Sequence, residues 1–287
     1  MLSALTEVDC DPSVIVSLAY DDQPGGDVRR RASGATVEDL RSSLEALAGD
    51  EVALMRALRR PLTIQRLGRR PLGNFVLASL ANAFGDHLEA SRWLGEQLGI
   101  AGDVLPATTE PVRRELELPG DEVSRGGRWG GSASSLARLR FSAEHLETPE
   151  ATIAAIEEAR WALLAPGSLY RCLLSVAAVP SVASALKRSH ARVLWFANLE
   201  PDPSETADMT AIDHLRVLRR HNIRVDAVLF DPEATLRFEP AALARYGVQP
   251  IPRALRSKVN HARHDPSRLR AVIGELISSR PTSTVDG

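Results

Sequence analysis

The chain has 287 residues, 44% of them hydrophobic and 25% charged, which excludes a disordered or collagen-like chain. Lys and Arg total 35 against 37 Asp and Glu, a net charge of −2, so no overall basicity points to a nucleic-acid partner. No apolar stretch approaches the roughly 20 residues that a membrane helix needs.

Ser13 to Tyr20 is short, apolar and β-branched at three positions, the pattern of a buried strand. It runs into Asp21-Asp22-Gln23-Pro24-Gly25-Gly26, a loop by composition. Thr36 to Leu47 has apolar residues at helical spacing, and Glu51 to Leu58 continues as a second helix stopped by Pro61. Pro71-Leu72-Gly73-Asn74 opens a helix that ends at Gly85. Asp86 caps the next one, which runs through about Leu98 with Gly99 beyond it. Asp103 to Ala107 reads as a strand.

Between Val112 and Phe141 the period becomes two, broken by Pro119-Gly120-Asp121 and a glycine-rich stretch, and this reads as a hairpin excursion. Strand and helix then alternate. Helix is expected over Pro149–Ala159 and from Leu169, and strand over Trp161–Leu164 and Arg192–Ala197. Further on, Ala211–Arg220 is a helix, Arg224–Phe230 a strand, Ala241–Tyr246 a helix and Val248–Ile251 a strand. Asp265 caps a last helix through about Ile277, and 280–287 reads as a disordered tail.

The expectation is therefore one α/β domain over 1–279, Rossmann-like, with a mostly parallel sheet covered by helices on both faces. Ligands of such sheets bind beyond the carboxyl ends of the strands. The loops that matter are then Asp21–Gly26, Ala165–Ser168 and Asn198–Thr206.

Each loop carries a candidate beside an ordinary alternative. Asp21 and Asp22 could hold a divalent cation or take a proton from a nucleophile, or simply form a solvated turn. Gly167 and Ser168 could receive a phosphate at a helix start, or Ser168 could only cap the helix. Asn74 and Asn198 could meet a ligand hydroxyl or phosphate, or serve as a cap and a loop amide. Asp213-His214 and His264-Asp265 are neighbours in sequence and do not face one another on a helix. Seven histidines show no zinc spacing, and there is no P-loop, G-x-G-x-x-G or G-x-S-x-G motif.

Taken in order, these loops resemble the CofD-like family, which contains 2-phospho-L-lactate transferases and gluconeogenesis factors of the YvcK type. The factor branch reads VTVADDGGSSGRLR where this chain reads VSLAYDDQPGGDVRR, and GNLxLAAL where it reads GNFVLASL, followed by GDHLEA. VLPAT is present as Val104 to Thr108. ADLIVxGPGSLYTSI is matched by ARWALLAPGSLYRCL, and CNxMTQPGET…DH by ANLEPDPSETADMTAIDH. The closing RHD is Arg263-His264-Asp265. The resemblance covers about Leu2 to Ile277.

The resemblance implies a UDP-sugar-binding regulatory protein linked to carbon metabolism and cell-wall morphology, with no firmly attached reaction. It places Tyr246 and Arg263 at the UDP-sugar, and Asp21, Asp22, Asn74, Gly167, Ser168 and Asn198 on the ligand cleft. The alternatives are a phospholactate transferase acting on a deazaflavin acceptor, with Asp21 or Asp22 holding Mg²⁺ or acting as base, and a degenerate paralogue. Against the family pattern, two serines of DDGGSSG are replaced and the first glycine of GPGSLY is Ala165. The family's opening strand and GGGTGL or GGGHGL turn precede the helix matched by Leu2-Ser3-Ala4-Leu5, so both are expected to be missing. With two cysteines, Cys10 and Cys172, too few for a disulfide framework, and no signal-peptide pattern, a cytoplasmic protein is expected. The resemblance also implies a nucleotide ligand; no membrane or nucleic-acid partner is expected, and a homo-oligomer is one option.

Overall fold

A computed structural model describes residues 1–21, 35–49, 52–64, 68–118, 123–124 and 137–278. The first part holds helix α1 (Leu2–Leu5), strand β1 (Ser13–Val16), helix α2 (Glu38–Ala48) entered through a 3₁₀ turn, and helix α3 (Ala53–Leu58). Strands β2 (Pro61–Ile64) and β3 (Gly68–Pro71) follow, then helices α4 (Leu72–Phe84) and α5 (His87–Leu98) and strand β4 (Asp103–Pro106). The excursion contributes β5 (Arg114–Glu117), β6 (Val123–Ser124) and β7 (Arg138–Phe141).

The second part runs α6 (Glu150–Glu158), β8 (Trp161–Leu164), a π-helical turn (Leu169–Leu174), α7 (Ser175–Ala177), α8 (Pro180–Arg188) and β9 (Arg192–Phe196). Helix α9 (Ala211–Arg220), β10 (Ala227–Phe230), α10 (Pro240–Arg245), β11 (Gln249–Pro252) and α11 (Pro266–Ser278) complete it.

Strands β8 to β11 form a parallel sheet in the order β11-β10-β9-β8. Its centre is buried on both faces, as the apolar runs of β9 and β10 require. Side chains alternate across a strand. Val193, Trp195, Val228 and Phe230 therefore share one core with Leu215 and Leu218 of α9 and Val182 of α8. Leu194, Phe196, Ala227 and Leu229 join Leu5 of α1 and Leu269 and Ile273 of α11 on the other face. Complete burial of one such side chain contributes roughly 1.5–3 kcal/mol.

The α/β class and the helices on both faces agree with the reading from sequence, but the parallel strands fall into two sheets rather than one. Among the described residues β1 pairs with β4 alone, in register from Ser13–Asp103 to Val16–Pro106. Ile15 of β1 nonetheless packs on the core that contains Val193 and Trp195. The excursion is an antiparallel sheet, β6-β5-β7, as the period of two suggests.

Three local differences have simple causes. The pair β2–β3 escapes the sequence because it is short and opens on Pro61, which is tolerated at the first position of a strand. The helix expected from Leu169 is interrupted at Val179, which is extended because Pro180 follows it. Strand β1 stops at Val16, since Tyr20 turns to bond the excursion, its N–H donating to the Val112 carbonyl at 2.9 Å. The caps behave as read. Asp86 accepts from the Leu88 N–H at 2.6 Å, and Gly85 and Gly99 end α4 and α5 in the left-handed conformation.

Candidate functional site

The loops that leave the carboxyl ends of β8 and β9 are tied to one another. Asn198 Oδ1 accepts from the Gly167 N–H and its Nδ2 donates to the Gly167 carbonyl, both at 2.8 Å. Beside this clamp, Ser168 caps the π-helical turn by accepting from the Arg171 N–H at 3.0 Å. Its own proton goes to Glu205 Oε2, 2.5 Å away. Glu205 is fully buried. It also accepts from the Tyr170 N–H at 3.1 Å and from Arg171 Nε at 2.6 Å. The Ser168 hydroxyl and the Tyr170 N–H, two donors that could face a phosphate at this turn, are thus engaged by a carboxylate of the chain itself. Burial disfavours the Arg171 cation, but the hydrogen bond to Glu205 and the nearby Asp202 and Asp21 hold its pKa above the ordinary value.

Asp21 sits where the chain leaves Tyr20. Its Oδ1 accepts from Arg114 Nε at 2.9 Å. The same guanidinium donates to Ser175 Oγ at 3.1 Å and to the Arg171 carbonyl. A guanidinium in contact is an unfavourable neighbour for a divalent cation, so Asp21 as placed does not fit a Mg²⁺ ligand. Asp22 lies outside the described residues. Among the described residues, no three His, Cys, Asp or Glu side chains are grouped closely enough to hold a metal.

The loop after β11 returns to the same edge. Asp231, directly after β10, accepts from the N–H groups of Leu255 and Arg256 at 2.7 and 2.8 Å. Burial works against its charge, yet these backbone donors keep its pKa below the usual carboxylate value. His264 pairs with Arg256 across this turn, the Asp265 N–H donates to the Leu255 carbonyl at 2.7 Å, and burial pushes the His264 pKa down. Its Nε2 is buried without a hydrogen-bond partner among the described residues. Arg263, one residue away, is exposed.

Gly167, Ser168, Asn198 and Arg263 therefore share the carboxyl edge of the four-stranded sheet, with Asp21 joined to it through Arg114 and Arg171. Asn74 is buried in the first turn of α4, bonded to Arg41. Tyr246 is not brought to this edge. It precedes β11, at the amino end of the sheet, where its hydroxyl accepts from Arg216 Nε at 3.1 Å and Arg219 lies 4.9 Å from its ring centroid. Arg41, Arg114, Arg171 and Glu205 escaped the reading from sequence. Only Glu205 had a signal there, as the glutamate of SET aligned with GET.

An α/β protein whose candidate residues gather on loops at the carboxyl edge of a parallel sheet is the class these observations define. The chain belongs to the CofD family, described as 2-phospho-L-lactate transferase CofD, whose model matches residues 1–271. It is 29% identical over 307 aligned positions to a candidate gluconeogenesis factor of Deinococcus radiodurans, covering 98% of this chain and 64% of that one. It is 28% identical to the gluconeogenesis factor of Bacillus subtilis, covering 77% of this chain and 70% of that one. The chain thus spans just under two thirds of the Deinococcus protein. A crystal structure of a UPF0052-family protein from Bacillus halodurans superposes with a TM-score of 0.83 at 24% identity, covering 95% of this chain and 94% of that one. That likeness shows the fold. Among the described residues no single helix is long and apolar enough to cross a membrane.

Proposed function

We propose that the chain is a cytoplasmic regulatory protein that binds a UDP-sugar at the carboxyl edge of the four-stranded sheet and links carbon metabolism to cell-wall morphology. The observation that carries the reading is the tie of the 255–265 turn to Asp231, which keeps the exposed Arg263 on the carboxyl edge that also carries the Asn198–Gly167 clamp. A guanidinium there suits a diphosphate, which it can bond through paired, charge-assisted N–H groups. The names of the curated relatives, gluconeogenesis factors, support the link to carbon metabolism.

A transferase reading has the family description in its favour. Against it stands the turn at Ser168, whose hydroxyl proton and neighbouring N–H are taken by Glu205. Calorimetry with UDP and a panel of UDP-hexoses, with and without Mg²⁺, tests the first reading, and binding without need of Mg²⁺ is expected. Mass spectrometry after incubation with a phospholactate donor, a deazaflavin alcohol and Mg²⁺ tests the second. No product is expected, and robust turnover would establish the transferase instead.

A further inference from the structure

The first turn of α4 contains a polar group that nothing among the described residues satisfies. Asn74 is 0% exposed, and its Oδ1 accepts from Arg41 Nε. A guanidinium has donors only, so the atom facing it is the amide oxygen and the orientation of the amide is fixed. Nδ2 then points away from Arg41, buried and without a hydrogen-bond partner among the described residues. Native proteins seldom leave such a donor unmatched, because its lost hydration is not replaced. Helix α4 has 13 residues, no side-chain cap and no acidic residue in its first turn. Its positive end is therefore not neutralised locally. A donor-only amide face, a nearby guanidinium and an uncapped helix start together call for an acceptor oxygen.

Arg41 is held in its turn. Its Nη1 pairs with Glu45 one turn along α2, and Glu45 Oε2 also lies 3.4 Å from Arg59 Nε. The stem of Arg41 crosses Gly73, where a Cβ would stand 2.9 Å from its Cδ and 3.1 Å from its Cγ. Gly73 thus leaves room for the arginine that orients Asn74, and the two neighbours act as a unit.

We propose that Arg41 is a positioning residue. It turns the Asn74 amide so that Nδ2 is presented to an acceptor oxygen of the bound nucleotide sugar, while Arg41 itself does not touch the ligand. The inference rests on the nucleotide-sugar reading above. Arg41→Met keeps a stem of similar length across Gly73 but has no donor to fix the amide. In the full chain it should lower affinity for UDP-hexoses about tenfold or more, as the loss of one oriented hydrogen bond implies.

The side-chain amide signal of Asn74, assigned by its loss in Asn74→Asp, should be single in the wild type and shift when UDP-glucose is added. In Arg41→Met it should divide into two sets. Gly73→Ala, which crowds the Arg41 stem, should produce the same two changes by an independent route. Wild-type affinity in both variants overturns the proposal. So does lost affinity with a single, undivided Asn74 signal, which would give Arg41 a structural role only. Wild-type protein that binds no member of the panel contradicts the nucleotide-sugar reading itself and removes the ligand from this proposal as well.

Discussion

Asn198 holds Gly167 from both sides, accepting from its N–H and donating to its carbonyl at 2.8 Å each. One side chain thereby locks the turn after β8 to the turn after β9. Because the pair is exposed, each bond contributes modestly. Asn198→Ala should cost about 1–2 kcal/mol in total, read as a lower urea midpoint. Asn198→Asp keeps the acceptor and loses the donor, so its midpoint should fall between the two. An unchanged midpoint in Asn198→Ala would show that the loops hold their places without the clamp.

Glu205 is the other anchor of this edge. Its buried carboxylate receives Ser168, the Tyr170 N–H and Arg171. Arg171 is partly exposed, with 37% of its side-chain surface accessible, and water screens that pair. The larger loss in Glu205→Gln comes from turning an acceptor into an NH₂ group that faces donors. The variant should lose about 1.5–3 kcal/mol. Equal stability of wild type and Glu205→Gln in chemical denaturation would contradict this account of the turn.

Three histidines set a pH dependence, His264 among them through its lowered pKa. His214 and His221 are buried, and burial lowers the pKa of each. His221 Nε2 accepts from the Leu139 N–H at 2.9 Å, a role open only to the neutral ring. Above the unfolded pKa of about 6.5, neither state of the chain is protonated at these sites and their contribution is complete. Below it the unfolded chain binds more protons than the folded one. Stability therefore falls as the pH drops from that value toward the lowered folded pKa. The urea midpoint should be lower at pH 5 than at pH 7.5, and the difference should shrink in His221→Gln. A midpoint that rises on acidification over this window would reverse the sign of the argument.

The strands and helices were readable wherever periodicity and caps agreed. β9 and β10 are continuous apolar runs, and Asp86, Gly85 and Gly99 mark helix ends by their own chemistry. The division of the parallel strands into two sheets was not readable, because strand pairing depends on contacts distant in sequence. The site was legible in part for the same reason. Gly167, Ser168 and Asn198 lie on loops whose position follows from strand direction. The carboxylate that meets Ser168 is 37 residues away, and Arg114 reaches Asp21 across 93 residues. No local pattern encodes such pairs. Tyr246 shows the converse, since a match in sequence order set it with residues from which the direction of β11 separates it.

Arg263 offers the most direct test of the central claim, that a UDP-sugar binds at this edge. It is exposed, so Arg263→Ala should leave the fold intact while removing a charged hydrogen bond to the diphosphate. Calorimetry on the full chain should show UDP-hexose binding to the wild type and a loss of about 1.5–3 kcal/mol in the variant. Equal affinity in the two proteins would contradict the account.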